Sequence, residues 1–235
     1  MTAADAQPAP DGARRDLRGI AIGSIAGISS VLVLIGAAIA LFFNPVWVGF
    51  EQGRAAADLW TGWDIATVRD VTSAVVMEVF LGPGTFAQTV GGVPVFTAAE
   101  IGHMADVRRV VLTFYVIVIV AVVALVATWV VDRRRISFWH GVQTAAGILA
   151  VAVVAVGVFL AFFFDTAFEI FHRLFFAAGS YTFDPRTDRL VQLLPEQLWT
   201  ETSILLALVI IVAAVALWAI ARQRRRAALA RAAVA

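Results

Sequence analysis

The chain has 235 residues, 61% of them hydrophobic and only 15% charged, with a mean hydropathy of +0.87. A typical soluble protein is about 45–50% apolar and roughly 25% charged, so these figures exclude a disordered chain, a nucleic-acid-binding tail protein and an ordinary cytosolic enzyme. There are no cysteines, which removes disulfides, thiolate metal sites and cysteine nucleophiles.

A membrane-spanning helix needs about 20 consecutive apolar residues. Four stretches qualify: 19–43, 110–131, 142–164 and 203–221. None carries a charge in its interior. Arg14, Arg15 and Arg18 precede the first, as in a signal peptide. Its length of about 25 apolar residues exceeds the 7–15 of a signal core, so it reads as a retained span. The expected fold is an all-α integral membrane protein with four transmembrane helices and an extracytoplasmic cap. The cap comprises segments 44–109 and 165–202, with a short helix and a small β-hairpin.

All 18 basic residues are arginines, and their placement orients the chain. The tail 1–18, the connection 132–135 and the tail 222–235 hold 11 arginines against 4 acids, or +7. The remainder holds 7 against 13, or −6. The basic group, with both termini, is expected in the cytoplasm of a bacterial cell and the cap outside its membrane.

In chain order, Gly19, Gly23 and Gly27 form a small-residue stripe on the first span, suited to packing within the bundle. Trp47, Trp60 and Trp63 read as interfacial anchors. Val68, Val71, Val75 and Val79 recur at helical spacing and predict a helix over 66–81, ended by Gly82-Pro83-Gly84. Phe86–Val90 and Val93–Phe96 flank Gly91-Gly92, a hairpin signal. Two strands alone are marginal, so the hairpin is expected to rest on helices. Thr97-Ala-Ala-Glu100 is a capping box that starts a helix near Ala98, with no breaker before Asp132.

The head of that helix carries Glu100, His103 and Asp106 at spacings of three, roughly on one face. An ionisable group at the membrane surface is a functional candidate; the structural alternative is a solvated or capping histidine. The apolar pattern of the third span continues through Phe164, Phe168, Phe171 and Phe175. It predicts one helix projecting from the membrane, with Asp165, Glu169, His172 and Arg173 on a shared face. The alternative there is a solvated stripe with internal ion pairs, Arg173 to Glu169 among them. Asp184 and Asp188 read as braces of a polar turn region. Pro195 suits the first turn of the last helix, and Trp199 an interfacial anchor. His140 lies at the cytoplasmic start of its span and reads as structural.

No GxSxG elbow or HExxH zinc motif is present. The spans lack ionisable residues, which argues against a proton-coupled transporter or channel. Two outward histidines fit acid–base chemistry near neutral pH.

The segment Thr97-Ala-Ala-Glu100-Ile-Gly-His103-Met104-Ala-Asp106-Val107 resembles a histidine region of the bacterial lipoprotein intramolecular transacylase family. Phe168-Glu-Ile-Phe171-His172-Arg-Leu-Phe175-Phe176, followed by Phe183-Asp184-Pro185 and Leu190 to Pro195, resembles that family's second histidine region. No role is carried onto Ser180-Tyr181-Thr182. The resemblance implies a substrate: a lipoprotein whose N-terminal cysteine bears a diacylglyceryl thioether. It also implies a reaction, transfer of the sn-2 acyl chain to the cysteine α-amine, giving the lyso form. Donor and acceptor share one substrate, so no cofactor or metal is expected. His103 and His172 are the expected catalytic residues. Glu100, Asp106, Glu169 and Arg173 are expected to support them or bind substrate or membrane lipid.

His103 near a helix N-terminus is expected to stay neutral and act as base. His172 near a helix C-terminus and two acids is expected to be the acid. Asp106 opposes the first assignment. Two other classes compete: a non-enzymatic membrane partner or sensor subunit with an acidic outer cap, and a two-histidine metal-dependent membrane hydrolase.

Overall fold

A computed structural model describes residues 11–133 and 135–234, with side chains from Asp16 onward. Much of the N-terminal tail, and Arg14, Arg15 and Arg134 of the basic group, therefore lie outside the described side chains. Four helices are long and apolar enough to cross a membrane. They are α1 (Asp11–Phe42), α5 (Ala98–Val131), α6 (Ile136–Phe162) and α9 (Glu196–Val234). Between them the chain forms α2 (Pro45–Arg54), α3 (Ala57–Thr61), α4 (Ile65–Phe80), β1 (Thr89–Val90), β2 (Val93–Pro94), α7 (Phe164–Phe175) and α8 (Arg189–Leu193).

In the bundle, α6 packs on both α1 and α9. Ala26, Phe138, Val142 and Ala221 form one buried cluster, and Ala38, Leu149, Ile210 and Ala214 another. The glycine stripe of α1 faces α6: a Cβ on Gly141 would collide with the Gly23 carbonyl, and one on Gly27 would stand 2.7 Å from the Gly141 carbonyl. Backbone contact of this closeness requires glycine on both helices.

At one end of the bundle the cap has a core of its own. Val68, Val71, Val75 and Val79 of α4 bury against Phe86, Val95, Phe96, Met104 and Leu193. Each fully buried valine contributes roughly 1.5 kcal/mol or more. The hairpin rests on this core as expected. Its ladder is shorter than the sequence suggests, pairing only Thr89 with Pro94 and Val90 with Val93 around positive-φ Gly91 and Gly92. The first arm is instead turned inward: Phe86, at φ 48°, is fully buried, and its N–H donates to the Glu78 carboxylate at 2.8 Å. The Thr97–Glu100 capping box is formed and α5 runs unbroken to Val131.

The short helix and the hairpin expected in the cap are present as α4 and β1–β2, and α2, α3, α7 and α8 join them. Asn44-Pro45 ends α1 but also starts α2, where the Asn44 side chain accepts from the Val46 and Trp47 N–H groups. One expectation needs correction: the third apolar run is not one projecting helix. Phe163 (φ −137°, ψ 45°) interrupts it, so α6 ends and α7 begins afresh. The anchoring tryptophans partly bond within the cap: Trp47 Nε1 donates to Thr202 Oγ1 and Trp199 Nε1 to the Leu194 carbonyl.

Candidate active site

The 34 residues of α5 make it about 50 Å long, well beyond a hydrocarbon core of about 30 Å. Its apolar stretch begins at Val110, after Asp106, Arg108 and Arg109. The head of α5, with Glu100 and His103, thus extends past the apolar stretch into the cap. α7 brings His172 to the same place. The two imidazoles lie 69 positions apart in the chain, yet their ring centroids are 5.9 Å apart and nearly parallel, at 23°. Both side chains are buried.

Aromatic rings enclose the pair. Phe176 and Phe183 meet His103 edge-on at 4.9 and 5.6 Å. Phe168, Tyr181 and Phe176 pack against His172 at 4.0, 5.0 and 5.5 Å. This enclosure determines the protonation of His103. Burial, reinforced by the facing charge of His172 and opposed by Asp106, lowers its pKa from 6.5 to about 4. Its Nδ1 is enclosed and has no hydrogen-bond partner, so an imidazolium there would leave an N–H unpaired. His172 is fixed differently. Its Nδ1 lies 2.8 Å from the Phe168 carbonyl, which can only accept, so Nδ1 carries the proton and Nε2 is left for exchange. Among the described residues, no three His, Cys, Asp or Glu side chains gather as a metal site.

The family model of the lipoprotein intramolecular transacylase Lit matches residues 24–199, a stretch that contains both histidines and nearly all of the cap. The chain belongs to the lipoprotein intramolecular transacylase family. Its fold is that of a solved structure, the membrane integral lipoprotein intramolecular transacylase Lit from Bacillus cereus, with a TM-score of 0.76 at 14% identity, over 90% of this chain and 97% of that one. Two variants of the Bacillus cereus protein, with one histidine replaced by arginine or by alanine, match at TM-scores of 0.72 and 14% identity. They cover 92% of this chain and 96% and 98% of their own. A comparison with curated protein sequences gives no match.

In this member of the Lit family, the other expected site residues divide. Glu100 does not reach toward the histidines. Fully buried, it accepts from the Thr97 N–H (2.7 Å), the Thr97 hydroxyl (2.9 Å) and the Leu190 N–H (2.7 Å). It thus ties the start of α8 to the head of α5. Asp106 pairs with Arg109 at 2.9 Å and acts on His103 only through its charge. Glu169 and Arg173 form the i, i+4 pair at 2.7 Å. That contact holds the Glu169 carboxyl below its ordinary value, with a hydrogen bond from Tyr181 (3.2 Å) adding to it. Asp165 is exposed on the first turn of α7. His140 is exposed near the far end of the bundle.

The loop between α7 and α8 is braced as its aspartates suggest. The Asp184 N–H donates to Asp188 at 2.7 Å, and Arg189 bonds the Thr61 carbonyl while its guanidinium covers Trp63. This bracing holds Tyr181 and Phe183 over the histidines. Sequence reasoning assigned neither a role, because a loop has no periodicity to say which way a side chain points.

Proposed function

We propose that this chain moves the sn-2 acyl chain of a diacylglyceryl lipoprotein to the α-amine of its N-terminal cysteine, with His103 and His172 as proton acceptor and donor. The observation that carries this reading is the pairing of the two histidines in an enclosed aromatic site. In the reaction the amine nitrogen attacks the sn-2 ester carbonyl and forms the N–C bond. The carbonyl electron pair moves to oxygen and returns as the C–O bond to glycerol breaks. One proton leaves nitrogen and one reaches the glycerol oxygen, so no atom is lost and no cofactor enters.

The free α-amine has a pKa near 7.7–8.0, so about a tenth or more is neutral at pH 7. His103, held neutral, is a weak base toward an ordinary ammonium. It suffices once attack has placed positive charge on nitrogen and made that proton strongly acidic. His172, with Nδ1 anchored on Phe168, presents Nε2 to the leaving glycerol oxygen. The proton then passes back from His103 to His172 through solvent. Holding both reactants in one enclosed site supplies much of the rate. The arginine bias supports a cap outside the membrane, termini in the cytoplasm, and a site at the outer leaflet where membrane-borne lipoprotein and lipid arrive laterally.

The test is mass spectrometry of the N-terminal peptide of a lipoprotein expressed with this chain. Wild type is expected to give the N-acylated lyso form. His103→Ala and His172→Ala are each expected to lose about 10²–10⁴-fold in rate. Full activity in either variant refutes that residue's role.

A further inference from the structure

α7 buries one side chain, His172. Four of its large apolar residues point away from the protein: Ile170, Phe171, Leu174 and Phe175 are 56%, 48%, 74% and 47% exposed. At 100° per residue they share one side of the helix, and Asp165, Glu169 and Arg173 share the other. Exposed apolar surface of this extent marks an interaction site. Its neighbour identifies the partner. The face continues through exposed Phe162 and Phe163 into the exposed flank of α6, which is long and apolar enough to cross a membrane. Surface that extends a lipid-facing flank is met by lipid. On the helical wheel His172 stands at the edge between the two faces, between Asp165 and Phe168. In a helix lying on a bilayer, that edge falls at the boundary of headgroups and acyl chains. The glycerol esters of a lipid lie at the same level.

We propose that α7 lies in the membrane interface with its Ile170–Leu174 face among the acyl chains of the bilayer, and that this seating sets the depth of His172 at the ester level. The depth assignment rests on the transacylation reading; the seating does not. In this arrangement lipid completes the packing of α7, and the acyl donor reaches His172 laterally, without leaving the bilayer.

The absence of cysteine allows a unique probe. Leu174→Cys and Thr166→Cys, each carrying a nitroxide, are reconstituted in phosphatidylglycerol–phosphatidylethanolamine vesicles and relaxed by oxygen or by a water-soluble nickel chelate. The label at 174 is expected to be relaxed by oxygen and shielded from nickel, and the label at 166 the reverse. Leu174→Asp is expected to lower transacylation in vesicles by about 10-fold or more, and Leu174→Met to keep it. A label at 174 as open to nickel as the one at 166 overturns the seating. Leu174→Asp at the wild-type rate overturns the depth assignment. If wild type itself transfers no acyl chain, the transacylation reading fails, and the nitroxide result still decides the seating.

Discussion

His103 and His172 are equally buried, yet they stand on helices of opposite character. The head of α5 is fixed from several sides: the capping box closes its first turn, Met104 enters the cap core, and Glu100 bonds the start of α8. α7 has no side-chain cap, follows a break at Phe163, and presents most of its apolar residues outward. One histidine is set by the protein core. The other is set by the aromatic contacts around its own ring and by whatever covers α7. In the proposed reaction, a base that must stay neutral benefits from the first setting, and an acid that must exchange its proton with the substrate benefits from the second.

The contrast breaks most visibly at Glu100. Glu100→Ala removes the fully buried carboxylate that accepts from the Thr97 and Leu190 N–H groups, each bond being worth about 1 kcal/mol or more. A fall of several degrees or more in the midpoint of thermal unfolding is expected, together with lower activity as the α7–α8 loop leaves His103. Glu100→Gln keeps one acceptor oxygen and is expected to lie between. An unchanged midpoint in Glu100→Ala would mean that the α5 head is not held as described.

The titration of His103 sharpens the same contrast. By histidine NMR it is expected near 4 in the intact protein. Removing the facing charge in His172→Ala is expected to raise it toward 6.5, and Asp106→Asn to lower it further, since Asp106 favours the imidazolium. Because the folded value lies below the unfolded one, this group favours folding above the unfolded pKa of about 6.5. That contribution is lost as pH falls from there toward 4. A His103 titrating at 6.5 in the intact protein contradicts its enclosure.

The smallest effect is expected on the α7 side. Tyr181→Phe removes the hydroxyl bond to Glu169, worth about 1 kcal/mol, and keeps the ring against His172. A few-fold loss of rate with little loss of stability is expected, and a larger loss of rate in Tyr181→Ala. Equal rates in both variants would show that the ring does not position His172.

Much of this molecule is legible in its sequence where a local rule has no competitor. The capping box sets the start of α5, Gly91-Gly92 sets the hairpin turn, and the valine period sets the buried face of α4. The break at Phe163 is not legible from periodicity, because a change at one residue leaves the apolar pattern running on through Phe175. The signal that remains is compositional: α6 is apolar all round, whereas α7 gains a charged side from Asp165 onward. The histidine pairing rests on a meeting between helices that no spacing encodes, and only the family resemblance pointed to it. The position of Glu100 beside His103 suggests a place in the site, yet its carboxylate is directed to Leu190 of another segment.

The central claim is that the two histidines act together on one acyl transfer. The most direct measurement is the acyl state of a lipoprotein's N-terminal peptide, by mass spectrometry, with wild type, His103→Ala, His172→Ala and the double variant. The expected result is N-acyl lyso peptide with wild type, and diacylglyceryl peptide with a free amine in all three variants, the double variant being little worse than either single one. Lyso peptide at wild-type levels in either single variant would contradict the account.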